Sequence, residues 1–176
     1  MKKISVFYHL GAMNSAWDKI VNEQLSLVKS SGLADAATVN MCFAAPDFAI
    51  NEIKIYIKQK FPFVNLLSSR VMSGKGEQEN IFEGQTLKEL QTYSKTNDAY
   101  VLYIHSKGML QYGSPPVNDW RQYMNYWMND GKIVFKKLKV IKLMLLEPIG
   151  PMSFIHTSLE TSGGPQQIIL KLYQMF

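Results

Sequence analysis

His105, Ser106, Lys107 and Gly108 place an imidazole, a hydroxyl, a cation and a flexible backbone in four consecutive positions. Directly before them, residues 99–104 form a β-branched and aromatic run that follows polar Asn97 and Asp98, the pattern of a central strand in an α/β sheet. The polar residues therefore fall at the carboxyl end of a buried strand, where open α/β sheets bind their ligands. The competing reading of His105 and Lys107 is a solvated turn. His105 and Ser106 do not make a nucleophile and base by adjacency, because neighbouring residues in a strand point apart. Farther along, Asp119 and Arg121 add a carboxylate and a guanidinium close together near the start of the following helix.

The elements that must position these groups can be read around them. Gly113, Pro115 and Pro116 argue against a helix, and Asn118 is a plausible cap, so a helix is expected from near Asp119. Trp120, Tyr123, Met124, Trp127 and Met128 recur at three- and four-residue spacing and read as a core-facing stripe. Asp119 and Arg121 fit that core poorly, since an unpaired buried charge is costly.

Upstream, residues 4–10 read as a first strand, followed by a loop at residues 11–15. A helix then carries Trp17, Ile20, Val21, Leu25 and Val28 inward, with Ser15 as its cap and Gly32 as its stop. Residues 38–44 form a second strand closed by Pro46, and Asp47 opens a helix with Ile50, Ile53 and Ile57 that ends at Pro62. Residues 63–68 make a short third strand, 73–78 a loop, and 83–96 a helix through Leu87, Leu90 and Tyr93. Strand and helix alternate throughout, which predicts an α/β three-layer sandwich with a mainly parallel sheet. Residues 1–150 form one domain, and residues 151–176 an irregular tail.

At 176 residues one domain with a real core is expected. The single Cys42 excludes an internal disulfide, and three His without a Cys/His cluster give no zinc spacing, so a reducing, cytoplasmic setting fits. A net charge of +5 is compatible with phosphate-bearing partners. The lysines are scattered, with a local cluster only at Lys136, Lys137 and Lys139, and nucleic acid is not the expected partner. The start of the chain is too polar and short for a signal peptide, and the longest apolar run, residues 140–146, is interrupted by Lys142 and far short of a membrane span. No Walker-type loop, GxGxxG, GxSxG or HExxH is present.

Three segments carry a resemblance. YIHSKG at residues 103–108, the helix residues Trp120, Arg121, Met124 and Tyr126, and Phe82, Glu83, Thr86 and Leu87 together resemble a family of small glycosyltransferase-like proteins of polysaccharide-biosynthesis type. The resemblance spans roughly residues 4–127, with Phe82 where that family has Tyr. It implies a GT-A-like fold with a Rossmann-like nucleotide-binding half, and transfer of a sugar, hexosyltransferase-like, from a nucleotide-sugar to a glycan or other hydroxyl acceptor. Within that reading, His105 and Asp119 are the catalytic candidates. Lys107, Ser106, Gly108, Arg121 and Glu83 are the donor-binding candidates. Fixed positive charge from Lys107 and Arg121, with helix-start amides near Asn118, would stabilise the diphosphate as it leaves. His105 would hydrogen-bond phosphate or the acceptor hydroxyl, and Asp119 would orient Arg121 or act as base. No Asp-x-Asp occurs, so no divalent metal is assigned. The alternative is a non-catalytic nucleotide- or glycan-binding module of the same fold.

The last stretch departs from the resembled family. Residues 132–146 read as a helix stopped by Pro148, but the expected H-x-x-G-N-F-W-W-A segment does not follow. Residues 156–176 can be encoded by nucleotides that, read from the third base of each codon, give HQFGNFWWATTNYIKTLPNV. Ser162, Gly163 and Gly164 yield the two Trp codons. The expectation is a frameshift near residues 150–155, an out-of-frame tail, and a carboxyl-terminal part that lacks the acceptor side of the cleft. The nucleotide sequence decides it.

Overall fold

The computed structural model describes residues 3–72, 81–106 and 109–128, with the residue pairs 157–158 and 169–170. Four long strands run in parallel: β1 (Lys3–Gly11), β2 (Ala37–Ala45), β3 (Val64–Val71) and β4 (Ala99–His105). They lie in the order β3-β2-β1-β4. Two short strands extend the sheet beyond β4, with Ile169–Leu170 parallel to it and Thr157–Ser158 antiparallel to that pair. Those are the described residues of the expected tail; the helix expected over 132–146 and the loop over 73–78 lie outside the described residues.

Parallel neighbours need crossovers, and the crossovers supply both covering layers. Helices α1 (Trp17–Ser30) and α3 (Asp47–Lys60) pack on one face, and α4 (Ile81–Thr96) on the other. Alternation along β1 sorts its residues between them. Ile4, Val6, Tyr8 and Leu10 join Ile20, Val21, Leu25, Ile53 and Ile57 in the larger core. Phe7 faces Leu90 and Val101, with the Tyr93 ring edge-on to it at 5.4 Å. The chain is thus an α/β three-layer sandwich of Rossmann-like form. No helix among the described residues is long and apolar enough to cross a membrane.

Three local expectations change. Helix α1 is capped by no side chain at Ala16; Asn14 Oδ1 accepts from the Ala16 amide at 2.9 Å, and Ser15 does not cap. Gly32, at φ +80°, does end that helix, and a four-residue helix, α2 (Leu33–Ala36), follows it. Helix α5 (Pro115–Met128) starts at the prolines rather than after them. Proline lacks only an amide that the first turn leaves unpaired, so it opens a helix readily. Asn118 therefore lies within the first turns, its amide bonded to Ser114 O at 2.9 Å, and is not the cap.

The face that α5 buries also differs from the expected stripe. Met124 packs on the larger core, but Tyr123 and Tyr126 point outward at 53% and 56% exposure. The buried positions are Arg121 and Asn125, four apart on one face. A polar face can be buried because α1 meets it with polar groups of its own.

Candidate functional site

The sheet order reverses between β1 and β4. From β1 the chain crosses to β2 and β3 on one side, then returns through α4 to β4 on the other. Strand ends at such a switch point diverge and leave a crevice, the usual ligand position in open α/β sheets. Here β1 and β4 are zipped almost to that edge. His9 pairs in register with His105; the Ser106 amide donates to His9 O and the Gly11 amide to Ser106 Oγ, each at 2.9 Å.

His9 and His105 share the α4 face of the sheet, and α4 presents Glu83 and Thr86, three residues apart, toward them. Glu83 Oε1 lies 2.8 Å from His105 Nδ1, and Tyr103 donates its hydroxyl to Glu83 Oε2 at 3.1 Å. The imidazole approach is oblique, so the contact is short but not an aligned hydrogen bond. The short contact with His105 holds the Glu83 carboxyl down to about 2, against a burial effect in the other direction; the His105 charge and the Tyr103 hydroxyl reinforce it. Thr86, fully buried, shares a hydrogen bond of 2.8 Å with His9 Nδ1. Burial lowers the His9 pKa to about 4, opposed by the Glu83 charge and helped by His105, so His9 is neutral at pH 7.

A second polar cluster lies on the other face of the sheet, between α1 and α5. Tyr8 donates to Gln24 Oε1 at 2.7 Å, and burial, with the Glu23 charge adding to it, pushes the Tyr8 hydroxyl far up. Gln24 Nε2 donates to the His105 carbonyl at 3.3 Å and to Asn125 Oδ1 at 3.2 Å. Asn125 donates to Glu23 Oε1 at 2.6 Å, and Arg121 Nε to Glu23 Oε2 at 3.2 Å. Arg121 Nη2 donates to Asn118 Oδ1 at 3.0 Å, and its guanidinium stands 5.3 Å from the Tyr112 ring centre.

The candidates from sequence thus fall into two groups. Glu83 and His105 meet at the switch point, and Ser106 Oγ accepts there from the Gly11 amide. Arg121 is buried at 4% exposure against Glu23, on the α1 side. Asp119 is exposed, and the carboxylate that orients Arg121 is Glu23. Arg121 is buried after all with two acceptors on Nε and Nη2, which offsets part of the cost of burying its charge, while Nη1 has no hydrogen-bond partner among the described residues. Lys107 and Gly108 lie outside the described residues. No group of three or more His, Cys, Asp and Glu suited to a metal occurs among the described residues.

Sequence reasoning missed His9, Gln24, Glu23 and Asn125. Gln24 carried a usable signal, because it interrupts the apolar stripe of Ile20, Val21, Leu25 and Val28 at an inward position. His9 carried one too, as the ring-bearing polar residue two positions after Phe7 on a strand buried on both faces. Nothing local marks Glu23 or Asn125, whose partners are about a hundred positions away.

Residues 5–135 match the model of a family described as a domain of unknown function (DUF8361), and the chain belongs to that family. No curated protein and no solved structure matches it. The matched segment runs from within β1 through α5 and so contains both polar clusters.

Proposed function

We propose that this protein is glycosyltransferase-like: it binds a nucleotide-sugar at the carboxyl ends of β1 and β4 and transfers the sugar to a hydroxyl acceptor. What supports this reading is the meeting of Glu83 with His105, from two separated sequence segments, at the switch point of a Rossmann-like sheet, where Ser106 Oγ accepts from the Gly11 amide. Glu83 occupies His105 Nδ1, which leaves Nε2 directed elsewhere as the acceptor for a hydroxyl proton. In the transfer, the bond from the sugar carbon to the diphosphate breaks with its electron pair on the leaving group. The acceptor oxygen forms the new bond, and its proton passes to His105 Nε2. Lys107, two positions beyond His105, is the cation assigned to the leaving diphosphate.

The test is release of free nucleoside diphosphate from a panel of uridine and guanosine diphosphate sugars, with and without simple glycosides as acceptors. Turnover that falls at least about a hundredfold in His105→Gln fits a general base. Binding with no release of diphosphate identifies a non-catalytic module instead. Absence of both binding and release refutes the reading.

A further inference from the structure

Among the described residues, the end of β1 holds an open position with one unsatisfied polar atom beside it. A Cβ built on Gly11 would have, apart from its chain neighbours, a single described heavy atom within 4 Å, which is His9 Nε2 at 3.9 Å. That nitrogen is buried and has no hydrogen-bond partner among the described residues, and His9 as a whole is 4% exposed. The ring cannot turn to satisfy it elsewhere without giving up Thr86, which holds Nδ1. Buried polar atoms are nearly always partnered, and one that faces an open position at a sheet's ligand edge asks for a polar occupant. Gly11 does not have a positive φ, so its backbone suits any residue; the bare position, not the conformation, is what its lack of a side chain provides.

The surrounding charge selects the occupant. The Glu83 carboxylate stands against His105, the register partner of His9, and its negative charge disfavours a second anion close by. Hydroxyl groups suit the same surroundings, because they donate to a carboxylate and exchange hydrogen bonds with an imidazole in either tautomer. Ser106 adds a hydroxyl whose oxygen already accepts from the Gly11 amide and whose proton has no acceptor among the described residues. Two neighbouring polar partners, imidazole and carboxylate, match two neighbouring hydroxyls.

We infer that the slot over Gly11, with His9 Nε2 at its base, is a subsite for a vicinal diol, either of a ribose or of a sugar ring. One hydroxyl bonds His9 Nε2 and the next bonds the Glu83 carboxylate. The inference uses the same crevice as the transferase reading but requires binding only, not transfer.

Ligand-observed NMR and calorimetric titrations test it with uridine, guanosine, their 2′-deoxy counterparts, methyl glucoside, its 2-deoxy counterpart and inorganic pyrophosphate. The expected result is millimolar or tighter binding of a ribonucleoside or of the glycoside, whichever supplies the diol, and binding at least about tenfold weaker for its deoxy counterpart. Gly11→Ala, which places one methyl in the slot at an ordinary contact distance from His9, should weaken the same ligand at least about tenfold while leaving the thermal midpoint nearly unchanged. Equal affinity for the diol and its deoxy counterpart overturns the inference, as does binding of pyrophosphate alone, or of no diol at all. Unaltered binding by folded Gly11→Ala does the same. The deoxy comparison uses the unaltered protein and decides the matter even where the variant fails to fold. Diol binding without any diphosphate release would refute the transferase reading and leave the slot standing; release without a deoxy effect would do the reverse.

Discussion

Lowering the pH should unfold this protein through His9, and the size of the effect follows from where that ring sits. The folded-state pKa is about 4 against an ordinary value of 6.5, because burial penalises the imidazolium more than Glu83 rewards it. A depressed pKa means that the unfolded chain binds the proton first. The contribution to stability is therefore complete above pH 6.5 and is lost as the pH falls from 6.5 toward 4. The difference of about 2.5 between those two values, at 1.36 kcal/mol each, gives a loss of about 3 kcal/mol, an upper limit for one group. For a domain of ordinary stability that is a large share of the total. The assay is urea unfolding at a series of pH values from 7 to 4, for the wild type and for His9→Asn, whose shorter amide keeps a polar partner for Thr86. Glu83 and His105 are present in both proteins, so the difference between the two curves isolates His9. The wild type should lose stability across that window by up to about 3 kcal/mol more than the variant. Parallel curves would refute the reasoning, because they would mean that the ring takes up its proton in the folded state as easily as in water.

Other perturbations have expected outcomes of their own. Arg121→Ala leaves Glu23 and Asn118 without their donor and should cost about 1–3 kcal/mol, less than a fully buried pair because Glu23 is partly exposed; a double-mutant cycle with Glu23→Gln should show coupling, and additive effects would contradict the pairing. Glu83→Gln should change the free energy of urea unfolding at pH 7 by less than about 1 kcal/mol, since Glu83 is 43% exposed and solvent screens its pair. Its own depressed pKa places the loss of that small contribution lower, as the pH falls from 4.5 toward 2, which acid titration of the variant beside the wild type checks. Gly32→Ala should lower stability by about 1 kcal/mol, because φ +80° is a conformation that a Cβ disfavours; an unchanged thermal midpoint would argue against that backbone.

The sheet was legible because its information is local. Residues 4–10 are apolar on both parities except for Ser5 and His9, and a strand buried by helices on both faces must read that way. The strand and helix alternation then leaves little choice but crossovers and parallel pairing. Helix α5 was read less well, and for two distinct physical reasons. Pro115 and Pro116 were weighed as helix breakers, although in a first turn they remove amides that had no partner to lose. The aromatic spacing was weighed as the buried stripe, although Arg121 and Asn125 take the inward face. Their partners Glu23 and Gln24 sit on α1, and no window of sequence shows a guanidinium finding its carboxylate 98 positions away. Glu83 came from the resemblance alone, whereas His105 was also marked by its place at the strand end, and their contact across α4 and β4 is a fact of the fold.

His105 is held from both sides of the sheet, and this gives the buried cluster on α1 and α5 a bearing on the site it does not enter. On the α4 face its ring is against Glu83, whose other oxygen Tyr103 occupies. On the α1 face its carbonyl accepts from Gln24, which also holds Tyr8 and Asn125. Asn125 and Arg121 in turn grip the two oxygens of Glu23. A shift of α5 relative to α1 therefore pulls on the backbone of the residue whose ring faces the crevice. Fixing a side chain through its ring alone leaves the turn beneath it free to move, whereas fixing ring and carbonyl together sets the position of Nε2. Arg121 in this arrangement acts through Glu23, Asn125 and Gln24. The guanidinium that the sequence suggested as a phosphate ligand serves, by its described contacts, to hold the strand end on which the site is built.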